Sequence, residues 1–351
     1  MTPRERVLTT FSHSEPDRVP QWFGMSEEFL TVAMTTLGTD ALGVRRRLGD
    51  DFHRIHAEYQ PDKVQLSPGA TTRTIFGVER AGIGYGQPLA HPLANATLEE
   101  LHAYPWPNAA IVDVSRLSSA AAPWRHEYAI LGGDWSPFWH DAIDLVGMER
   151  LFEMMHDDPP WVDALLGHLV DFYVAANQRI FAEAGSEIDI FFIGNDFGSQ
   201  TGPLLSPKSF NRFILPQLRR LINLGHDYRL KVQLHCCGGF RPLIPALIAA
   251  ELDALHAIQC SCIGMDLASL KADFGTRLVL NGGIDSHHVL IDGDPSSIRE
   301  DTRKVMEIMM PGGGFVAGAS HDWILPETPV ANVVAMADAV REFGVYADAL
   351  V

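Results

Sequence analysis

The sequence predicts an α/β fold, a single (β/α)8 TIM barrel with an N-terminal helix, and three observations carry that prediction. Eight short apolar runs alternate with amphipathic helical stretches along the 351 residues. Several of the runs are continuous Val/Ile/Leu/Phe rather than alternating, which suits strands covered on both faces. Polar residues of the kind that bind or react stand just after the runs, where a barrel carries its chemistry.

Taken in order, residues 3–14 form an opening helix and Glu15-Pro16-Asp17-Arg18 a turn. The eight predicted strands are 19–23, 63–66, 128–132, 188–193, 230–234, 254–258, 277–280 and 315–318. Helical periodicity fills 148–155, 161–183, 209–224, 243–251 and 295–309, with Pro207 and Pro295 where a first helical turn tolerates proline. Residues 68–110 form a long insertion after the second strand, read as a covering loop or small hairpin. Its glycines, Gly82, Gly84 and Gly86, match neither a P-loop nor a dinucleotide fingerprint. A doubly wound open sheet is the runner-up, but no Gly-x-Gly-x-x-Gly follows the first strand.

No Gly/Ser-rich or Pro-rich linker and no repeat divides the chain, so residues 1–351 read as one domain. The polar start, Met1-Thr-Pro-Arg-Glu-Arg, lacks the apolar region of a signal peptide. No stretch approaches the roughly 20 apolar residues of a membrane span, so a cytoplasmic protein without a membrane partner is expected. The formal net charge of −17, from 44 acidic and 27 basic residues, argues against nucleic acid, whose binding needs a basic surface. All four cysteines fall between 236 and 262, a clustering that points to metal or thiol chemistry rather than to loop-closing disulfides.

The strand ends supply the candidate site. Strand one delivers Trp22, Phe23 and Met25, strand three Asp134 and Trp135, and strand four Asn195, Asp196 and Gln200. Strand five delivers His235, Cys236 and Cys237, and strand six Gln259, Cys260 and Cys262. Strand seven contributes Asn281 and Asp285, and strand eight Ser320, His321 and Asp322. In an extended strand residues i and i+2 share a face, so His235 and Cys237 converge on one point. Imidazole and thiolate are zinc ligands, and a catalytic zinc takes three protein ligands and keeps one position open. His321, ending strand eight, is the expected third ligand, with Cys260 and Cys262 as alternatives. The competing reading makes the cysteines small buried hydrophobes and His235 a hydrogen-bonded core residue. Asp196 reads as a general acid/base or a substrate-orienting group, or else as a turn cap. Asp285 stands between the same two readings.

Arg4-Glu-Arg-Val-Leu, Pro16-Asp-Arg-Val-Pro, Gly194-Asn-Asp-Phe-Gly-Ser-Gln, Leu234-His-Cys-Cys-Gly, Asn281-Gly-Gly-Ile-Asp and Gly312-Gly-Gly-Phe together resemble the uroporphyrinogen decarboxylase-like superfamily almost end to end. The resemblance implies a (β/α)8 barrel and one of two chemistries. Cofactor-free decarboxylases of the family grip a tetrapyrrole's carboxylates with an arginine-rich segment after the first strand. Here that segment is Phe23-Gly-Met-Ser-Glu-Glu-Phe, without arginine and with two acids. The other branch resembles methylcobalamin:thiol methyltransferases, which hold zinc with a His-x-Cys pair and a distant cysteine. His235 and Cys237 match the pair, and His321 falls within about one position of the distant cysteine.

The implied reaction has a zinc-activated thiol accepting a methyl group from a methylcorrinoid. Asp196, His235 and Cys237 would be catalytic, and Trp22, Phe23, Met25, Trp135, Asn195, Gln200, Gln259 and Asp285 would line the substrate. The cofactors expected are Zn2+ and methylcobalamin or another corrinoid. The partners expected are a small-molecule thiol or methylated substrate, a corrinoid protein, and a second copy of the chain in a homodimer. Two alternatives stand beside this reading: a metal-free decarboxylase of porphyrin biosynthesis using Asp196, and a non-catalytic barrel that binds a corrinoid or porphyrin.

Overall fold

The computed structural model describes residues 1–60, 64–82 and 86–346. Eight parallel strands make one sheet: β1 (Gln21–Trp22), β2 (Phe52–Arg54), β3 (Ala129–Gly132), β4 (Ile190–Gly194), β5 (Lys231–His235), β6 (Ala254–Ile258), β7 (Val279–Ile284) and β8 (Phe315–Ala319). Each strand pairs with its neighbour in sequence from β2 to β8, and β8 pairs with β1. The remaining seam, between β1 and β2, is bridged by Asp51, whose N–H donates to the Gln21 carbonyl at 3.0 Å. The ring is thereby nearly closed, and the expected α/β barrel stands with helices around it.

The second strand is not where the sequence placed it. Phe52–Arg54 carries one apolar residue in three and so leaves no apolar run to read. Within the predicted run at 63–66, Val64 and Leu66 lie exposed outside the sheet, while residue 63 lies outside the described residues. The segment between β2 and β3 is more elaborate than a hairpin. A two-strand ladder (Glu58–Tyr59 with Val112–Asp113) encloses a three-stranded antiparallel sheet and the short helix Leu98–Ala103. The opening helix, Pro3–Phe11, ends three residues before the predicted boundary of 14.

Two apolar layers result from the alternation of side chains. Trp22, Phe52, Ala129, Leu131, Ile190, Phe192, Ala254, Val279 and Val316 fill the barrel's interior, and Val7 and Phe11 of the opening helix plug its base. Their neighbours on the strands, such as Ile130, Phe191, Ile193, Val232 and Leu234, face outward into the layer beneath the helices. Burying an aliphatic or aromatic side chain of this kind is worth about 1.5–3 kcal/mol. Among the described residues no helix is long and apolar enough to cross a membrane.

At the base, an aspartate stands one residue before each of β2, β4 and β6. Asp51 accepts the Gln21 N–H at 2.7 Å, Asp189 the Ile130 N–H at 3.0 Å and Asp253 the Val232 N–H at 2.9 Å. Each also meets cations: Arg6 and Arg18 at Asp51, Arg4 at Asp189, Lys231 at Asp253. Each pair β1–β2, β3–β4 and β5–β6 is thus pinned at its N-terminal end by a charge-assisted bond.

Candidate metal centre

At the other end of the barrel, β5 delivers His235 and the loop beyond it Cys237. His235 Nε2 and Cys237 Sγ lie 3.2 Å apart. The intervening Cys236 points the opposite way, fully buried in the outer layer, and its sulfur accepts the Phe197 N–H. The i, i+2 expectation is therefore what the chain does here. The loop is held by glycines: a Cβ on Gly198 would lie 2.5 Å from the Cys237 carbonyl, and one on Gly238 would lie 2.5 Å from the Gly198 carbonyl carbon. That close approach brings Asp196 to the site, where its Oδ1 accepts the Cys237 N–H at 2.7 Å and lies 3.6 Å from His235 Nε2. The other oxygen of Asp196 sits 3.3 Å from His140 Nε2.

Donor atoms of Asp196, His235 and Cys237 all fall within 4.8 Å of one another, and so do those of His235, His256 and Asp322. His321 belongs to neither group. Its Nδ1 turns back into its own loop and accepts the Trp323 N–H at 3.2 Å, so this part of the expected ligand set is not assembled. Carboxylates stand at the cluster instead. Cys260 donates to the Gly283 carbonyl and Cys262 to Gln200, so neither alternative cysteine joins it.

The other predicted site residues divide by what they touch. Trp22 and Trp135 border the cluster, their rings 5.4 Å from His256 and 5.3 Å from His235. Gly194 makes room for Trp135, since a Cβ there would lie 2.0 Å from its indole. Asn195 braces the loop after β3, accepting the Trp139 N–H and donating to the Ser136 carbonyl. Gln259 accepts the Gly238 N–H at 2.9 Å, which steadies the Cys237 loop from β6. Asp285 caps the turn at Ser286–Ile291 and pairs with His288. Phe23, one residue after Trp22, faces the outer layer, with Met25 packed against that layer. Asn281 lies within β7 rather than beyond it and donates to Gln233.

Two histidines of the cluster were not singled out in the sequence. His256 sits in the middle of an apolar run, 254–258, at a position that alternation turns inward; a polar residue there was the available signal. His140 lies in the helix Phe138–Val146, and only the fold brings it to Asp196.

Burial sets the electrostatics. It lowers the pKa of His235, against the pull of Asp322 and Asp196, and that of His256 further, which favours the neutral form of both imidazoles. Burial also pushes the Cys237 thiol far up, and the nearby Asp196 adds to the effect. For Asp196 burial works toward protonation, but the His140 hydrogen bond and the nearby His235 hold it below the usual carboxylate range. Asp322 Oδ1 and His256 Nε2 are buried without a hydrogen-bond partner. Such a pocket, with a thiol that does not ionise unaided and a buried carboxylate oxygen, fits a dication: positive charge there would favour the thiolate and balance the carboxylates. The donors are imidazole, sulfur and carboxylate, a set suited to zinc.

A family model described as Uroporphyrinogen decarboxylase (URO-D) matches residues 98–343. The uroporphyrinogen decarboxylase of Psychromonas ingrahamii is 24% identical over 238 residues, 65% of this chain and 59% of that protein. That of Coxiella burnetii is 25% identical over 202 residues, 55% of this chain and 50% of that protein. The chain thus spans about half to three-fifths of these relatives' length. A methyltransferase from Methanosarcina mazei superposes with a TM-score of 0.71 at 20% identity, covering 98% of this chain and 99% of that one.

Proposed function

We propose that this chain, which belongs to the uroporphyrinogen decarboxylase family, is a zinc-dependent methyltransferase of that family acting on a thiol. The observation that carries the reading is the convergence of His235 Nε2 and Cys237 Sγ, 3.2 Å apart at a buried strand end and bordered by carboxylates. The same fold serves a methyltransferase in M. mazei, which accords with it. The segment after β1 supports it from the other side. Glu27 and Glu28 open the helix Glu27–Leu37 there, both exposed, and would repel a substrate rich in carboxylates.

His235 and Cys237 would hold the zinc, with a carboxylate oxygen of Asp196 or Asp322 as third donor in place of His321. When bound, the cation supplies the positive charge that favours thiolate over thiol in the substrate. The carboxylate not used as a donor takes the thiol proton. The sulfur lone pair then forms the new S–C bond while the methyl–donor bond breaks, its electron pair staying with the donor. A methylcorrinoid on a partner protein is the donor we infer. Trp22 and Trp135 wall the site and keep water from competing with the thiolate. Asp196 holds the Cys237 loop through its N–H, and His140 holds Asp196.

Metal analysis of protein purified without chelator tests the reading. About one zinc per chain is expected, absent from the Cys237→Ser variant, together with methylation of a thiol by methylcobalamin. Decarboxylation of uroporphyrinogen by metal-free protein would overturn it. Tight corrinoid binding with no turnover on any thiol would favour a binding protein instead.

A further inference from the structure

His256 has no part in the chemistry above, yet it touches the ligand pair from behind. β5 and β6 run in register with His235 opposite His256, and both side chains point into the barrel. Their Nδ1 atoms lie 3.0 Å apart, at hydrogen-bond distance, with both rings fully enclosed. Two imidazoles so placed share one proton between these atoms, one ring donating and the other accepting.

The surroundings decide which ring donates. His235 Nε2 faces Cys237 Sγ at 3.2 Å and, when bare, can accept the S–H. A metal on the same nitrogen would equally require it bare. With Nε2 bare, the proton of His235 is on Nδ1 and is given to His256 Nδ1. Asp322 Oδ1, 3.9 Å from that atom, is too far to compete for a direct bond. The proton of His256 is then on Nε2, which has no hydrogen-bond partner and is edged by the rings of Trp22 and Phe192, 5.4 and 5.3 Å away.

We propose that His256 is the positioning residue of this centre: it accepts the Nδ1 proton of His235 and so keeps Nε2 bare and aimed at Cys237. A ligating histidine usually gives its second N–H to a carboxylate or carbonyl. Here a second histidine on the adjacent strand fills that role. The part of the proposal that concerns zinc rests on the function proposed above; the part that concerns the proton does not.

The test uses the full chain, labelled with 15N-histidine and free of metal, with His235→Gln to assign the resonances. Long-range 1H–15N correlations report which ring nitrogen is protonated. Wild type is expected to show His235 as the Nδ1–H form. The His256→Phe variant, which keeps a ring against Trp22 and Phe192, should lose that form. His256→Asn, whose amide oxygen can accept the same proton, should recover it. Zinc affinity by chelator competition should weaken about 10–100-fold in His256→Phe and return to within a few-fold of wild type in His256→Asn. Thermal melts of both variants show that each is folded. An Nε2–H form of His235 in wild type overturns the proposal, as does His256→Phe binding zinc like wild type. Should wild type bind no zinc, the zinc reading fails while the tautomer measurement still decides the role of His256.

Discussion

The two ends of the barrel are built to opposite rules. At the base, buried charge is matched: the Asp51 carboxylate, fully enclosed, meets Arg6 at 2.6 Å and Arg18 at 2.8 Å and also accepts a backbone N–H. At the mouth a buried carboxylate oxygen is left over: Asp322 Oδ1 has no hydrogen-bond partner, nor have His256 Nε2 and the Trp22 indole N–H, whereas the unpartnered atoms near the base belong to the Gln21 amide and His13, not to a carboxylate. An unmatched buried polar group costs about 1–3 kcal/mol, so it persists where it serves something besides stability. The base closes the ring, and in the proposed function the mouth takes the ligand.

Substitutions at each end can break or sharpen that contrast. The largest effect is expected from Asp51→Ala, which takes the shared carboxylate from Arg6 and Arg18 at the β1–β2 seam, leaving Arg6 only the Asp17 carboxylate. Breaking a buried pair in this way costs about 3–5 kcal/mol, read by equilibrium denaturation. A loss below about 1 kcal/mol would mean that the base does not carry the closure.

Next comes a pH effect on the mouth side. Burial raises the pKa of Asp141, in the helix after β3, to about 7, even though Tyr173 donates to it at 2.5 Å. The native protein therefore keeps this proton between about pH 4 and 7, where the unfolded chain releases it. The contribution of Asp141 to stability should fall as pH rises through that window, by on the order of a few kcal/mol, and level off above it, while His53 and His56, whose pKa values burial lowers to about 4, contribute in the opposite sense. The difference in stability between wild type and Asp141→Asn should fall with pH by that amount, the contribution of Asp50, raised by burial to about 6, cancelling in the comparison; a difference that does not change with pH would remove Asp141 from the account.

The smallest change is expected at the mouth itself. Cys237→Ser, which abolishes metal binding in the proposed function, should alter the stability of metal-free protein by less than about 1 kcal/mol, because the site is not what holds the barrel together. A loss as large as that of Asp51→Ala would erase the distinction between the two ends.

Much of this could be read in the chain. Seven of the eight strands lie within a few residues of their predicted runs, because strands buried on both faces must be apolar throughout. Alternation placed His235 and Cys237 on one side and Cys236 on the other. What escaped reading has particular causes. β2 is three residues long and mostly polar, so nothing marks it locally. His256 was absorbed into an apolar run. Asp51, Asp189 and Asp253 each precede a strand, but their common role shows only when the cations beside them are in view.

The sequence by itself determined the alternation of strands and helices, the concentration of polar residues at strand ends and the pairing of His235 with Cys237. All of these are local: they follow from which residues can be buried and from the period of two along a strand. The company that pair keeps was decided by the tertiary structure alone. Asp196 comes from β4, His256 from β6 and Asp322 from beyond β8, all gathered by the register and closure of the ring. The third-ligand position shows the same division. Sequence spacing brought both His321 and Asp322 to the end of β8, but the turn of the backbone there sends the imidazole of His321 back to Trp323 and the carboxylate of Asp322 into the barrel.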